Sequence, residues 1–114
     1  MSNKVFIEES FRNPAKKLTR KYRSFPHDLL RLIEELEENA LLGLSLGGNL
    51  RKIRLAIKSK GKGKSGGARV ISFVYLAKSS VHLLTVYDKS DADSISDDEL
   101  HALTLEFEAS MKPS

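Results

Sequence analysis

The chain has no cysteine, which excludes disulfides and thiol-ligated zinc or iron–sulfur sites and is in keeping with a reducing compartment. Histidine is sparse: His27, His82 and His101 are scattered, and no pair has the spacing of a metal site, so no metal or other cofactor is expected. Long apolar runs are missing too. Met1 to Phe11 carries Glu8 and Glu9 and lacks the apolar stretch of a signal peptide, so the expectation is a cytoplasmic protein with no membrane association. The most telling absence is of carboxylates, because no Asp or Glu occurs from Asn39 through Tyr87.

That gap holds Arg51, Lys52, Arg54, Lys58, Lys60, Lys62, Lys64, Arg69 and Lys78. Seven carboxylates precede it and eight follow it, so a net charge of only +4 conceals a strongly segregated layout. Positive charge with no internal neutralisation creates a field that attracts a polyanion. A solvated lysine-rich loop is the plain alternative for a charge run taken alone. At 114 residues the chain has the size of one ordinary domain, 1–114, with apolar content for one modest core.

Val5-Phe6-Ile7 reads as a first strand. Asn13-Pro14 reads as a helix start leading into the basic residues Lys16, Lys17, Arg20, Lys21 and Arg23. Pro26 opens a second helix whose apolar stripe is Leu29, Leu30, Ile33, Leu36 and Ala40, with Glu34, Glu35, Glu37 and Glu38 on an acidic outer face that is assigned no catalysis. Gly43 and Gly47-Gly48 break the pattern. Ile53, Leu55 and Ile57 then alternate with Lys52, Arg54 and Ala56, so burying the apolar side turns the cations outward. Val70–Leu76 and Val81–Tyr87 flank Lys78-Ser79-Ser80 and pair as an antiparallel hairpin. Ser96-Asp97-Asp98-Glu99 is a capping box that opens a last helix bearing Leu100, Leu103 and Phe107. The expected class is α+β: one antiparallel sheet of about four strands, with two N-terminal helices and a C-terminal helix packed on one face.

Ser59 to Gly67 reads SKGKGKSGG. Glycines let backbone N–H groups approach an anion, and the interleaved lysines add charge. Gly63-Lys64-Ser65 looks like the end of a nucleotide-binding P-loop, but Lys58 stands where a glycine is needed and a strand follows in place of a helix. With no acid nearby to hold magnesium, an NTPase is not expected. Arg69, Ile71, Phe73 and Tyr75 share one parity, so cations from three strands are expected to converge on one groove. A structural ion pair is the other role open to Arg69, although its sequence neighbours offer no carboxylate.

Taken together, Gly48-Asn49-Leu50-Arg51-Lys52-Ile53-Arg54, the segment Gly61 to Ile71 (GKGKSGGARVI) and Leu83-Leu84-Thr85-Val86-Tyr87-Asp88-Lys89 resemble the RelE/ParE toxin superfamily, most closely its HigB-like branch. The resemblance runs from about residue 3 to residue 108. It implies the same sheet-and-helix fold and a toxin of a bacterial type II toxin–antitoxin pair that cuts mRNA on the translating ribosome. The implied partners are an antitoxin, usually a helix-turn-helix protein that forms a hetero-oligomer with the toxin, and the ribosome with its mRNA. By position, the family's arginine after the double glycine falls on Arg69, where it would stabilise the phosphorane-like transition state. The loop lysine falls on Lys64, the basic residue after the fourth strand's tyrosine on Lys89, and the arginine of the family's LRKxRW motif on Arg54. Leu55 stands in place of the usual tryptophan, and Ser72 in place of an aromatic, leaving Tyr75 and Tyr87 as substitutes.

The expected reaction is metal-independent attack of the RNA 2′-hydroxyl on the adjacent phosphate. With no carboxylate in the central segment, a lysine with a lowered pKa is the expected base. Lys64 is the first candidate, with Tyr87 and His82 as rivals. Lys64, Arg69, Lys89 and Tyr87 form the candidate catalytic set, and Lys52, Arg54, Lys58, Lys60 and Lys62 the candidate RNA-binding set. Asp88 either orients Lys89 or only begins the acidic tail. Two other readings stand beside this one: a ParE-like gyrase poison that cuts no RNA, and a non-catalytic RNA-binding domain using Phe73 and Tyr75.

Overall fold

The computed structural model describes residues 2–61, 63–92 and 94–111. Lys62, one of the expected RNA contacts, lies outside the described residues.

The first strand, β1 (Lys4–Ile7), is followed by helix α1 (Glu9–Lys21), which starts ahead of the expected Asn13-Pro14 and carries Pro14 inside it. Phe11 and Leu18, two turns apart, are both buried, and burial of Phe11 draws the preceding turn into the helix. Pro14 has no N–H to offer the Ser10 carbonyl, an interruption the helix tolerates near its start. Helix α2 (Phe25–Glu38) opens with Pro26 as expected, but its inner face is Phe25, Asp28, Leu32 and Leu36, while Leu30 is exposed. The rest of the expected stripe holds: Leu36 and Ala40 are buried and Leu29 and Ile33 pack against the core, with Phe25, Asp28 and Leu32 added to it.

A strand that was not expected, β2 (Leu44–Gly47), pairs antiparallel with β3 (Leu50–Leu55). Gly43 turns the chain into it at φ +97°, where a Cβ would stand 2.5 Å from the Lys52 carbonyl oxygen. The basic segment forms a 3₁₀ turn (Lys58–Lys60) and a one-turn helix, α3 (Gly63–Gly66), in place of an open loop. Strands β4 (Ala68–Tyr75) and β5 (Ser80–Asp88) form the expected antiparallel hairpin. Helix α4 (Asp97–Met111) begins at the expected capping box: the Glu99 backbone N–H donates to Ser96 Oγ at 3.1 Å, and Ser96 Oγ donates to Glu99 Oε1 at 3.3 Å.

The five strands run in the order β1-β5-β4-β3-β2, and β1 lies parallel to β5, so the sheet is mixed. The helices occupy both faces, not one. Ile53, Leu55, Val70, Val74, Val81 and Val86 pack with the inner faces of α1 and α2, whereas Ile71 and Leu84 pack with Phe107 of α4. Among the described residues, no helix is long and apolar enough to cross a membrane.

One irregularity controls the site-bearing end of the sheet. Ile71 pairs with Thr85 but Ser72 pairs with Leu83, so Leu84 is an extra residue bulged out of β5. Its carbonyl accepts a hydrogen bond from Ser10 Oγ at 2.5 Å, which satisfies a group the ladder leaves unpaired. Beyond the bulge the alternation of β5 is reset. Val86 and Asp88 face α1, and Tyr87 faces the same side as Arg69.

Gly67 is the tightest point of the chain. A Cβ there would overlap the Leu55 carbonyl oxygen, and the Gly67 carbonyl accepts from the Lys89 N–H at 3.0 Å. Gly67→Ala is therefore expected to cost about 1–3 kcal/mol or more and to lower the melting temperature by several degrees in a thermal scan.

Candidate nucleic-acid interface

Register across β3, β4 and β5 sets Arg54, Arg69 and Tyr87 in one transverse row. Lys52 lies two residues along β3, on the same face as Arg54. The partner strand β2 pairs only with Leu50–Lys52, so the edge of β3 is open from Ile53 onward. A cavity of about 380 Å³ sits at that open edge, and Lys52, Arg54 and Lys64 line it together with Glu35 of α2. A smaller cavity of about 60 Å³ shares Glu35, Arg54 and Lys64 and adds Asp28 and Arg31. Among the described residues, the side chains of Lys52, Arg54 and Lys64 take part in no ion pair. Three uncommitted cations facing one cavity are what a phosphate needs.

Other cations of the segment are committed. Lys60 was expected on the basic face, but its ammonium is buried and bonds Asp88 Oδ1 at 2.6 Å and the Gly67 carbonyl at 3.3 Å. Asp88 also accepts from Tyr22 Oη at 2.7 Å and from the Ser90 N–H at 2.9 Å, and Lys21 Nζ stands 3.2 Å away. Burial alone would raise the Asp88 pKa, yet the hydrogen bonds from Lys60, Tyr22, Ser90 and Lys21 outweigh it and hold the carboxyl well below the usual carboxylate range. Hydrogen bonding to Asp88, and then its charge, raise the Lys21 pKa in turn. Asp88 thus neither orients Lys89 alone nor merely opens the acidic tail; it is a buried junction of α1, the 3₁₀ turn and β5.

A second carboxylate from outside the acid-free stretch holds the other end of the turn. Asp28, fully buried in α2, accepts from the Lys58 N–H at 3.1 Å and from Ser24 Oγ at 2.7 Å, with Arg31 Nη1 at 3.5 Å. Ser24 and Ser59 also exchange backbone-to-hydroxyl hydrogen bonds at 3.2 and 2.9 Å. The Lys58 side chain remains exposed.

Arg69 is 4% exposed, and its guanidinium donates to the carbonyls of Lys64 and Ala68 at 3.1 Å and of Ser65 at 2.9 Å. It braces α3 from beneath and carries Lys64. Burial, then the Arg54 charge, lower its pKa, and Tyr87 opposes them. Tyr87 lies on the far side of Arg69 and lines two other cavities, one of about 350 Å³ below α4 and one beside Lys17. Among the described residues, its hydroxyl is buried with no partner in hydrogen-bonding geometry. Burial raises its pKa, against the pull of the Arg69 charge and of the nearby Ile95 backbone, while Glu99 adds to the rise. Lys89 is half-buried and is anchored by its backbone to Gly67. His82 is not a surface residue: its ring is buried, stacked 5.0 Å from Phe6, and bonded to Ser80 and Glu8. It lies five residues along β5 from Tyr87, about 16 Å at strand rise.

The structure therefore brings together Lys52, Arg54 and Lys64, sets Arg69 beneath them, and places Tyr87 and Lys89 on the other side of the Arg69 strand. Glu35, Arg31, Asp28 and Tyr22 were not foreseen, nor was the pairing of Asp88 with Lys60. The seven-residue spacing of Asp28 and Glu35, with Arg31 and Leu32 between them, does mark one helical face.

These features define a small α+β protein with a cationic cavity at the edge of a mixed sheet. A model of the family described as the RelE toxin of the RelE/RelB toxin–antitoxin system matches residues 3–110, and the chain belongs to that family. Solved structures of similar fold include a double mutant of the Escherichia coli toxin RelE in the free state (19% identity over 82% of this chain and 90% of that one, TM-score 0.58). The toxin–antitoxin complex RelBE2 of Mycobacterium tuberculosis is similar at 14% identity, covering 77% and 92%, with a TM-score of 0.55. The RelE–RelB complex of Pyrococcus horikoshii is similar at 18% identity, covering 81% and 100%, with a TM-score of 0.54.

Because the folded Asp88 pKa is depressed, the stabilisation is complete above the unfolded carboxyl pKa of about 3.9 and is lost as pH falls below it. Asp88→Asn is expected to destabilise by about 3–5 kcal/mol at neutral pH, since it strands the Lys60 charge. Urea titrations of the variant should show a flatter loss of stability below about pH 4 than those of the parent chain.

Proposed function

We propose that this chain is the toxin of a type II toxin–antitoxin pair, of the HigB-like branch, and that it cuts mRNA on the ribosome. The observation that carries the reading is the separation of its cations. Lys60 and Lys21 are consumed by Asp88, whereas Lys52, Arg54 and Lys64 remain uncommitted around one cavity. A protein that only docked on another protein would have little use for clustered cations that, among the described residues, form no ion pair and repel one another.

In this reading the scissile phosphate sits at the open edge of β3. Lys52 and Arg54 neutralise its non-bridging oxygens, and the 2′-hydroxyl attacks in line to leave a 2′,3′-cyclic phosphate and a 5′-hydroxyl. Lys64 exchanges a proton with the reacting oxygens. Arg69 acts from below, through its charge and by bracing the α3 carbonyls. Lys58 and Lys89 extend the positive field along the RNA, and Tyr87 closes the row as packing. The partner is an antitoxin, as in the RelE–RelB complexes of similar fold.

Induced expression without antitoxin, followed by mapping of mRNA 5′ ends on ribosomes, should reveal cuts inside codons together with growth arrest. Arg54→Ala and Lys64→Ala should each lower cleavage on the order of a hundredfold. Arg69→Lys should recover little of the loss seen in Arg69→Ala, because an ammonium cannot span the Lys64 and Ser65 carbonyls as the guanidinium does. Growth arrest with intact mRNA and induced DNA damage would replace this reading with that of a gyrase poison.

A further inference from the structure

We propose that Glu35 is the general base of the cleavage, an assignment that rests on the RNA-cleavage reading above. The acid-free stretch made a lysine the expected base, but folding carries a carboxylate to the site from another element. Glu35 projects from the α2 face that also bears Asp28 and Arg31, and it lines both cavities occupied by Arg54 and Lys64.

Its commitments set it apart from the other carboxylates near the segment. Asp28 and Asp88 are buried and already engaged: Asp28 Oδ2 accepts from Lys58 N–H and Ser24 Oγ with Arg31 beside Oδ1, and Asp88 accepts from Lys60, Tyr22 and Ser90. The Glu35 carboxylate takes part in no hydrogen bond or ion pair among the described residues, although Lys52, Arg54 and Lys64 share its cavity. Only the Glu35 backbone is engaged, accepting from Asn39 at 2.9 Å inside the helix end. An exposed, uncommitted carboxylate beside three uncommitted cations lets a phosphate face the cations while its neighbouring hydroxyl faces the acid.

The chemistry favours it as well. A carboxylate oxygen is an acceptor that can take the 2′-hydroxyl proton, whereas an ammonium has donors only. Glu35 takes the 2′-hydroxyl proton as the 2′-oxygen bonds to phosphorus. The bond from phosphorus to the 5′-oxygen breaks, and that oxygen leaves with a proton from the Lys64 ammonium. Solvent then returns the proton from Glu35 to Lys64, so the site is reset with no oxidant or cofactor. The charged groups facing Glu35 are Asp28 and Arg31 on its own helix, Lys52 and Arg54 on β3, and Lys64 on α3. The rivals have other engagements: the Tyr87 hydroxyl is buried on the far side of Arg69, and His82 is bonded to Glu8 and Ser80.

The test is single-turnover cleavage of mRNA on programmed ribosomes by the full chain, its Glu35→Gln and Glu35→Asp variants, and Glu38→Gln as an outer-face control. Glu35→Gln should keep the parent's circular dichroism and its KM within about threefold while losing on the order of a hundredfold or more in kcat. Glu35→Asp should recover part of the loss, and Glu38→Gln should match the parent. Parent-like kcat in Glu35→Gln, or a change confined to KM, would each overturn the assignment and return the proton to a lysine. A parent chain that cuts no mRNA on any programmed ribosome would overturn the cleavage reading itself, and this assignment with it.

Discussion

The site depends on one buried carboxylate. Asp88 ends β5, yet it receives hydrogen bonds from the α1 side through Tyr22, from the 3₁₀ turn through Lys60, and from its own following turn through Ser90. These segments are far apart in sequence, and each brings a polar group that could not be buried without a partner. Asp28 does the same from α2, gripping the Lys58 N–H and the Ser24 hydroxyl. The glycine-rich turn between them would otherwise be a flexible loop with high backbone entropy. Clamped at both ends and braced by Arg69 from below, it presents Lys64 in a defined place.

This division of labour explains how one positive segment can contribute to stability and still leave cations unpaired at its surface. A cation paired inside the protein has little attraction left for RNA, and a cation free for RNA adds little to the fold. The chain separates the two by depth. Lys60 turns inward to Asp88, while Lys52, Arg54 and Lys64 remain at the surface cavity without a carboxylate partner. The acid-free stretch follows from the same logic: structural acids enter from α2 and from the end of β5, so none needs to lie within the segment itself.

Much of this was legible in the sequence because it depends on local pattern. The alternation of Ile53 and Leu55 with Lys52 and Arg54 placed the cations on the correct face, the Val70 and Val81 runs marked the hairpin, and Ser96 marked the start of α4. What escaped was set by distance in the chain. Strand β2 is four residues between glycines, too short to signal itself. The parallel pairing of β1 with β5, and the placement of α4 on the second sheet face, depend on which apolar surfaces remain uncovered once the sheet has formed. Lys60 is indistinguishable in sequence from Lys58; only the location of Asp88 separates them. Glu35 looked like any glutamate of an acidic helix surface, since nothing local records that the edge of β3 lies open beside it.

The bulge at Leu84 gives β5 two phases, one for each half of the strand. In the first half odd-numbered residues enter the α1–α2 core, and in the second half even-numbered residues do. Were the ladder continuous, Tyr87 would lie beneath α1 and Asp88 would project beside Arg69 and Arg54, placing a negative charge in that row and leaving Lys60 without its partner. A single extra residue, held by one hydroxyl of Ser10, thus decides the sign of the electrostatic potential at the end of the sheet. Strand-length variation among proteins of this fold is therefore expected to act as a change of polarity at the site more than as a change of size.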